Sequence, residues 1–313
     1  MWPAILAENS CKALAKLGNL VLAKWSRGKE RRDALMQAQT RKDVQAIEAG
    51  EFVFTGEELR PALELPNMPP ASVPLVVGME EEAHNLNANL AIAANILKDT
   101  PDDQVSEEPV NPDWFARWRR EAQVIGDEEM RQLWGRILSE EVKHPRAVSL
   151  KTLDVLKNII AKDAQLFCKV VRSRINTLIP IDPAPLGDYD ARNLLTLQDL
   201  NLLSIDLNLR IGATPINGYC VFRCNGFVLS ALSNVDFNLP HMSGGNLTMA
   251  AEEIYSISDA VSPATEEEIK KIGDAIWANR PSQIRKMSAH PITSVRLPEW
   301  RYDTHISLYT WGE

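Results

Sequence analysis

Apolar positions recur at helical spacing through much of this chain. From Trp2 to Trp25 the residues Ala13, Leu14, Leu17, Leu20 and Val21 share one side of a helix, although Gly18 weakens it and Lys24 intrudes on the apolar side. Residues 26–49 keep helical propensity with few large apolar groups, as in an exposed or partner-seeking arm, and Gly50 marks its stop. Pro61, Pro66, Pro69, Pro70 and Pro74 then forbid a regular helix and predict an extended linker over 61–78. A helix follows over 79–98, with Leu86, Leu90, Ile92, Ile96 and Leu97 inward.

The clearest periodicity lies over 112–178. Pro112 suits a first helical position, and Trp114, Phe115, Trp118, Ala122 and Ile125 share the next face, up to Gly126. Asp127 is placed as an N-cap for Met130, Leu133, Trp134, Ile137 and Leu138, and Pro145 closes that helix. Ser149 caps a third helix bearing Leu150, Leu153, Leu156, Ile159 and Ile160, and a fourth presents Leu166, Phe167, Val170, Val171, Ile175 and Leu178. Short connections predict antiparallel neighbours in a bundle.

Beyond a turn-rich stretch, 180–190, the pattern mixes. A short helix is expected over 194–203, a hairpin with alternating and aromatic character over 218–232, a turn at Ser243-Gly244-Gly245-Asn246 and a helix over 247–257. The tail predicts a capped helix at 265–279 and strands at 292–297 and 305–311. The expected architecture is mainly α with a smaller α+β part, a helical bundle followed by a winged-helix-like unit. Its segments are a basic amphipathic arm (1–60), the proline-rich linker (61–78), the bundle (79–179), the α+β unit (180–257) and a terminal helix with strands (258–313).

Several segments resemble a bacterial family catalogued as a domain of unknown function. They are Pro112-Asp113-Trp114-Phe115, Asp127-Glu128-Glu129-Met130, Leu133-Trp134-Gly135-Arg136-Ile137-Leu138, Ser149-Leu150-Lys151-Thr152-Leu153 and Asp163-Ala164-Gln165-Leu166-Phe167. A looser likeness runs to about 257 through Leu197–Ser204 and Leu247–Ile254, with Ala250-Ala251 where family members often carry a glycine turn. The same segments are similar, more faintly, to abortive-infection alpha proteins. The resemblance implies a bacterial or prophage origin and a role in phage defence, and it carries over no active site.

Composition narrows the chemistry. The 313 residues exceed what one core usually serves, so two core-bearing parts are expected. Four scattered cysteines, with no apolar run of membrane-spanning length, suit a reducing cytoplasm rather than a disulfide scaffold. The net charge of −8 is uneven, since residues 1–32 hold seven Lys or Arg against Glu8 and Glu30 and are +5. The acidic remainder disfavours nucleic acid, and the N-terminus alone could meet an anionic membrane surface or a partner. Trp2, Leu14, Leu17, Lys24 and Trp25 are the residues expected at that contact. Self-association is a further expectation.

Glu-x-x-His occurs twice, as Glu81 with His84 and Glu141 with His144, the spacing that carboxylate-bridged metal sites use in helical bundles. Helix-end electrostatics explain the same residues more simply, with anions in a first turn and His144 in a last turn. Cys220, Phe222 and Cys224 fall on one strand face as packing groups, and a zinc site would need two ligands more, with His241 alone near in sequence. No Walker, Gly-x-Ser-x-Gly or dinucleotide motif is present. The sequence therefore favours a non-enzymatic interaction or sensor protein with no cofactor. The alternatives are a DNA-binding regulator using the winged-helix-like unit, whose 194–203 helix has no basic residue, and a carboxylate/histidine metalloprotein.

Overall fold

The computed structural model describes residues 11–21, 42, 45, 52–54, 59–61, 73–182, 186–206, 211–239, 242–258, 261–296 and 299–312. The chain divides into two units, residues 1–126 with 142–145, and residues 127–141 with 146–313. The division falls at Gly126, not in the proline-rich segment.

In the first unit, residues 12–21 form α1, followed by a small hairpin of β1 (Phe52–Phe54) and β2 (Leu59–Pro61) paired Phe52 to Pro61. That hairpin lies past the helix stop expected at Gly50, where the pattern predicted no strands. Helix α2 (Val73–Leu97) starts six residues before the expected Met79, because Pro74 sits in its first turn, where a missing N–H costs nothing. α3 (Pro112–Ala122) is capped by Asn111, whose side chain accepts from the Asp113 and Trp114 amides. Its opposite end is held by two asparagines of α2, with Asn89 Nδ2 donating to the Ala122 carbonyl at 3.0 Å and Asn85 Nδ2 to that of Gln123 at 3.1 Å. These bonds satisfy carbonyls that a helix end leaves unpaired. Trp114, Phe115 and Trp118 are buried, and the Phe115 and Trp118 rings stack 5.7 Å apart.

The second unit opens with α4 (Glu128–Lys143), which belongs to it through Glu141. Asp127 accepts from the Met130 amide at 3.0 Å, the cap its sequence position predicts. α5 (Leu150–Leu156) begins at Ser149, whose hydroxyl accepts from the Thr152 amide. α6 (Ala161–Val171) buries Phe167, Val170 and Val171, while Ile160 stays exposed. The remainder is richer in strand than the pattern predicts. β3 (Leu178–Asp182), β9 (Ser243–Leu247) and β4 (Leu203–Asp206) make an antiparallel sheet with β9 in the middle, and β5 (Ile211–Ala213) pairs with β8 (Phe237–Leu239). A larger antiparallel sheet runs β11 (Glu299–Tyr302), β10 (Lys286–Arg296), β7 (Phe227–Leu232), β6 (Tyr219–Arg223), with β12 (Tyr309–Gly312) also on β10. α7 (Ala191–Asp199), α8 (Met249–Ile257) and α9 (Glu266–Ala278) complete the unit.

Three expectations are corrected here. The segment Ser243–Asn246 is strand, not turn, because its glycines admit neighbours that a side chain would exclude: a Cβ at Gly244 would collide with the Ile179 carbonyl of β3. The turn-rich stretch begins later than expected, since Pro180 lies within β3 beside a register shift, where its missing N–H is tolerated. The hairpin read as a wing is built into the large sheet, with β7 buried and hydrogen-bonded on both sides by β6 and β10. The terminal helix and strands pack with this sheet: Ile269, Ile272, Ile276, Met287, Ala289 and Trp311 share one core with Phe222, Phe227 and Leu229. Helix α9 meets β12 at Gly273, where any Cβ would strike the Trp311 indole, whose Nε1 donates to Asp274 at 2.7 Å.

One bidentate pair ties the end of α6 to the first turn of α9. Arg172 Nε and Nη2 donate to the two Glu268 oxygens at 2.7 Å each. The Arg172 hydrogen bonds hold the Glu268 carboxyl below its ordinary value of 4.5, burial opposes this in part, and the Thr265 amide adds to it. A depressed carboxylate contributes stability above its unfolded value that is lost as pH falls through the folded one. Glu268→Gln is therefore expected to cost about 1 kcal/mol at neutral pH in this half-exposed setting. In urea titrations the gap between wild type and variant should close as pH drops below the ordinary glutamate value; a gap unchanged in acid would show that the charge contributes nothing.

Candidate functional site

The second unit holds a pocket of about 500 Å³ between α4, α5, α6 and α8. Successive turns of α4 supply Met130 and Leu133, α5 and its following turn supply Leu156 and Ile159, and α6 and α8 add Phe167 and Ile254. Glu129, Gln132, Arg136, Gln165 and Ser258 form the polar part of the lining. Gln165 Nε2 donates to Glu129 Oε2 at 2.9 Å, linking α6 to α4. Cys168 also faces this space, and burial pushes its thiol pKa up, with a Ser258 hydrogen bond opposing this in part and the Glu129 charge adding to it. The thiol is thus kept protonated, the opposite of what a nucleophilic cysteine needs. Among the described residues no histidine lines the pocket.

On its neighbouring turns α8 organises two further polar clusters. Glu253, buried, accepts from the Ser149 amide at 2.7 Å and is hydrogen-bonded by the Thr152 hydroxyl at 2.5 Å, placing a carboxylate at the N-terminus of α5. Glu252 meets two arginines, Arg174 from the turn after α6 and Arg223 at the end of β6. Arg174 Nη2 lies 2.6 Å from Glu252 Oε1, and Arg223 Nη1 lies 3.9 Å from Glu252 Oε2. Both guanidinium groups face the Tyr255 ring, with Cζ 4.5 and 5.9 Å from its centroid. Burial and the Arg174 charge push the Arg223 pKa down, and Glu252 opposes them. Sequence reasoning passed over this cluster. Its one visible signal is an arginine inside the apolar run Val221-Phe222-Arg223-Cys224.

The residues singled out in the sequence fall in different settings. Glu81 and His84 are exposed on α2, and His144 is partly exposed at the end of α4. Glu141 is buried, but its carboxylate serves the chain itself, accepting from the Arg146 amide at 2.8 Å and the Val148 amide at 3.1 Å. It shapes the turn after Pro145, in which Arg146 has φ 73°. Among the described residues no group of three or more His, Cys, Asp or Glu is disposed to hold a metal ion. Cys220 and Cys224 are buried with Phe222 in the core, while His241 lies outside the described residues.

The N-terminal contact set is corrected in two positions. Leu14 and Leu17, expected on a membrane or partner surface, are buried within the first unit, and the lysines beside them are engaged there too. Lys12 Nζ donates to the Val105 carbonyl at 2.7 Å and Lys16 Nζ to that of Ser106 at 3.1 Å, so the stripe is a docking face within the unit. Trp2, Lys24 and Trp25 lie outside the described residues. Among the described residues no helix is long and apolar enough to cross a membrane.

Residues 76–177 match the family described as protein of unknown function (DUF2806), in agreement with the resemblance carried by the 112–167 segments. The match starts earlier than those segments and stops short of the looser likeness at 197–204 and 247–254. No curated protein and no solved structure matches the chain. Much of the pocket, from Glu129 to Cys168, falls in the family segment, whereas Leu202, Ile254 and Ser258 fall outside it.

Proposed function

We propose that this protein is a non-enzymatic sensor that takes a small apolar molecule into the pocket between α4, α5, α6 and α8. The observation that carries the reading is the lining: a pocket of about 500 Å³ with largely apolar walls and a few polar groups, the make-up of small-molecule sites. Binding is favoured over chemistry because the pocket's thiol is held neutral and, among the described residues, no histidine stands beside it as a base. The ligand that fits has an aliphatic or aromatic body and one polar end able to meet Gln132, Arg136 or the Glu129–Gln165 pair. The wider setting proposed with it is a cytoplasmic helical-bundle scaffold in phage defence, supported by the resemblance of the 112–167 segments to abortive-infection alpha proteins. Occupancy of the pocket would be passed to a protein partner or a second copy, with Trp2, Lys24 and Trp25 as the remaining candidates for that contact.

N-phenyl-1-naphthylamine, a neutral apolar fluorophore, tests the pocket. Full-length protein is expected to give saturable, blue-shifted emission at one site per chain. Ala164→Trp, which fills the space from α6, is expected to abolish most of it while the circular dichroism spectrum stays that of wild type. Absence of saturable emission, or equal binding by the folded variant, would sink the proposal.

A further inference from the structure

The arginine pair of the second unit carries more positive charge than the described residues neutralise. Arg174 and Arg223 are 1% and 7% exposed, and among the described residues the carboxylate that bears on them is Glu252, so the cluster keeps a net positive charge in a largely desolvated place. Arg174 uses Nε on the Asn176 carbonyl at 2.8 Å and Nη2 on Glu252. Among the described residues no acceptor meets Arg174 Nη1, Arg223 Nε or Arg223 Nη2, all of which are buried. Buried guanidinium donors are ordinarily satisfied, because an unmet charged donor is among the costlier defects of a fold.

The free donors have a particular form. Nε and Nη2 make up the side edge of a guanidinium, the fork that presents two parallel N–H groups to two oxygens of one anion. Glu252 approaches Arg223 from Nη1, so that no acceptor among the described residues meets the buried side edge. The third donor, on Arg174, suits a third oxygen, which a tetrahedral oxyanion has and a carboxylate lacks. The donors are also held in place before any ligand arrives. Tyr255 lies against both guanidinium groups, and its hydroxyl donates to Asn225 Oδ1 at 3.0 Å. Asn176 clamps the strand end at Arg223, its Oδ1 accepting from the Arg223 amide at 2.8 Å and its own amide donating to the Arg223 carbonyl at 2.6 Å.

We propose that Arg223 and Arg174 form a binding site for a phosphate-type oxyanion, free or as a phosphomonoester, with the Arg223 side edge as its bidentate anchor and Arg174 Nη1 as its third donor. The site is independent of the apolar pocket and stands if that reading fails.

The test is thermal unfolding of the full chain in inorganic phosphate, glycerol 3-phosphate or acetate, each compared with chloride at equal ionic strength. Inorganic phosphate is expected to raise the midpoint by about 3–6 °C at roughly ten times its Kd. Arg223→Gln should remove that rise and Arg223→Lys, which keeps the charge without the fork, should weaken it, with circular dichroism establishing that each is folded. A larger rise with the ester assigns an esterified ligand, and a larger rise with the inorganic ion assigns the free anion. No rise over chloride in wild type overturns the proposal without reference to any variant. So does a response that persists in folded Arg223→Gln, or acetate acting as strongly as phosphate.

Discussion

Trp134→Ala is expected to lower stability by about 3–5 kcal/mol and the thermal midpoint of the second unit by about 8–15 °C. Met130, Trp134, Ile137 and Leu138 lie at i, i+4, i+7 and i+8 on α4, and all are buried, Trp134 completely. Helix propensity is not at issue, since alanine is the better helix former, so the whole loss comes from packing. An indole replaced by a methyl leaves a void that neighbouring helices refill only in part, and both the transfer and the cavity contributions destabilise. Trp134→Phe should recover a good share of the loss by restoring ring volume. A midpoint unchanged in Trp134→Ala would show that the indole is not a core element.

What could be read in the chain beforehand divides by the range of the interactions. Helices α3 to α6, α8 and α9 are written locally: Pro112 at a first position, caps at Asp127, Ser149 and Thr265, and apolar stripes that recur every turn. The sheets are not. β9 runs Ser-Gly-Gly-Asn-Leu, a composition that reads as a turn, and it becomes a central strand only because β3 and β4 close on it from distant parts of the chain. Glu141 shows the same limit on the chemical side. Its Glu-x-x-His spacing with His144 was legible, but its partners are amides of the turn that follows, which spacing cannot show. Leu14 and Leu17 formed a correctly read stripe whose destination, within the unit, depends on residues near 102–106. The arginine cluster was illegible for the most distant reason, since Arg174 and Glu252 are 78 residues apart.

Glu252→Gln is expected to cost about 3–5 kcal/mol, because it leaves two buried guanidinium groups with no countercharge among the described residues. Glutamine keeps the shape of the side chain and an oxygen for Arg174, so the variant removes charge with little change in packing. The penalty has two parts: each cation loses its attraction to the carboxylate, and the repulsion between Arg174 and Arg223, which already depresses the Arg223 pKa, goes uncompensated. Removing a cation as well should relieve it. Glu252→Gln combined with Arg223→Met is therefore expected to be more stable than Glu252→Gln alone, a coupling that urea denaturation of the double-mutant cycle measures directly. Arginine stays protonated throughout the accessible range, so the loss should be flat between about pH 6 and 9. A cost below about 1 kcal/mol, the size of an exposed ion pair, would mean that water screens the cluster and that its charges are not confined.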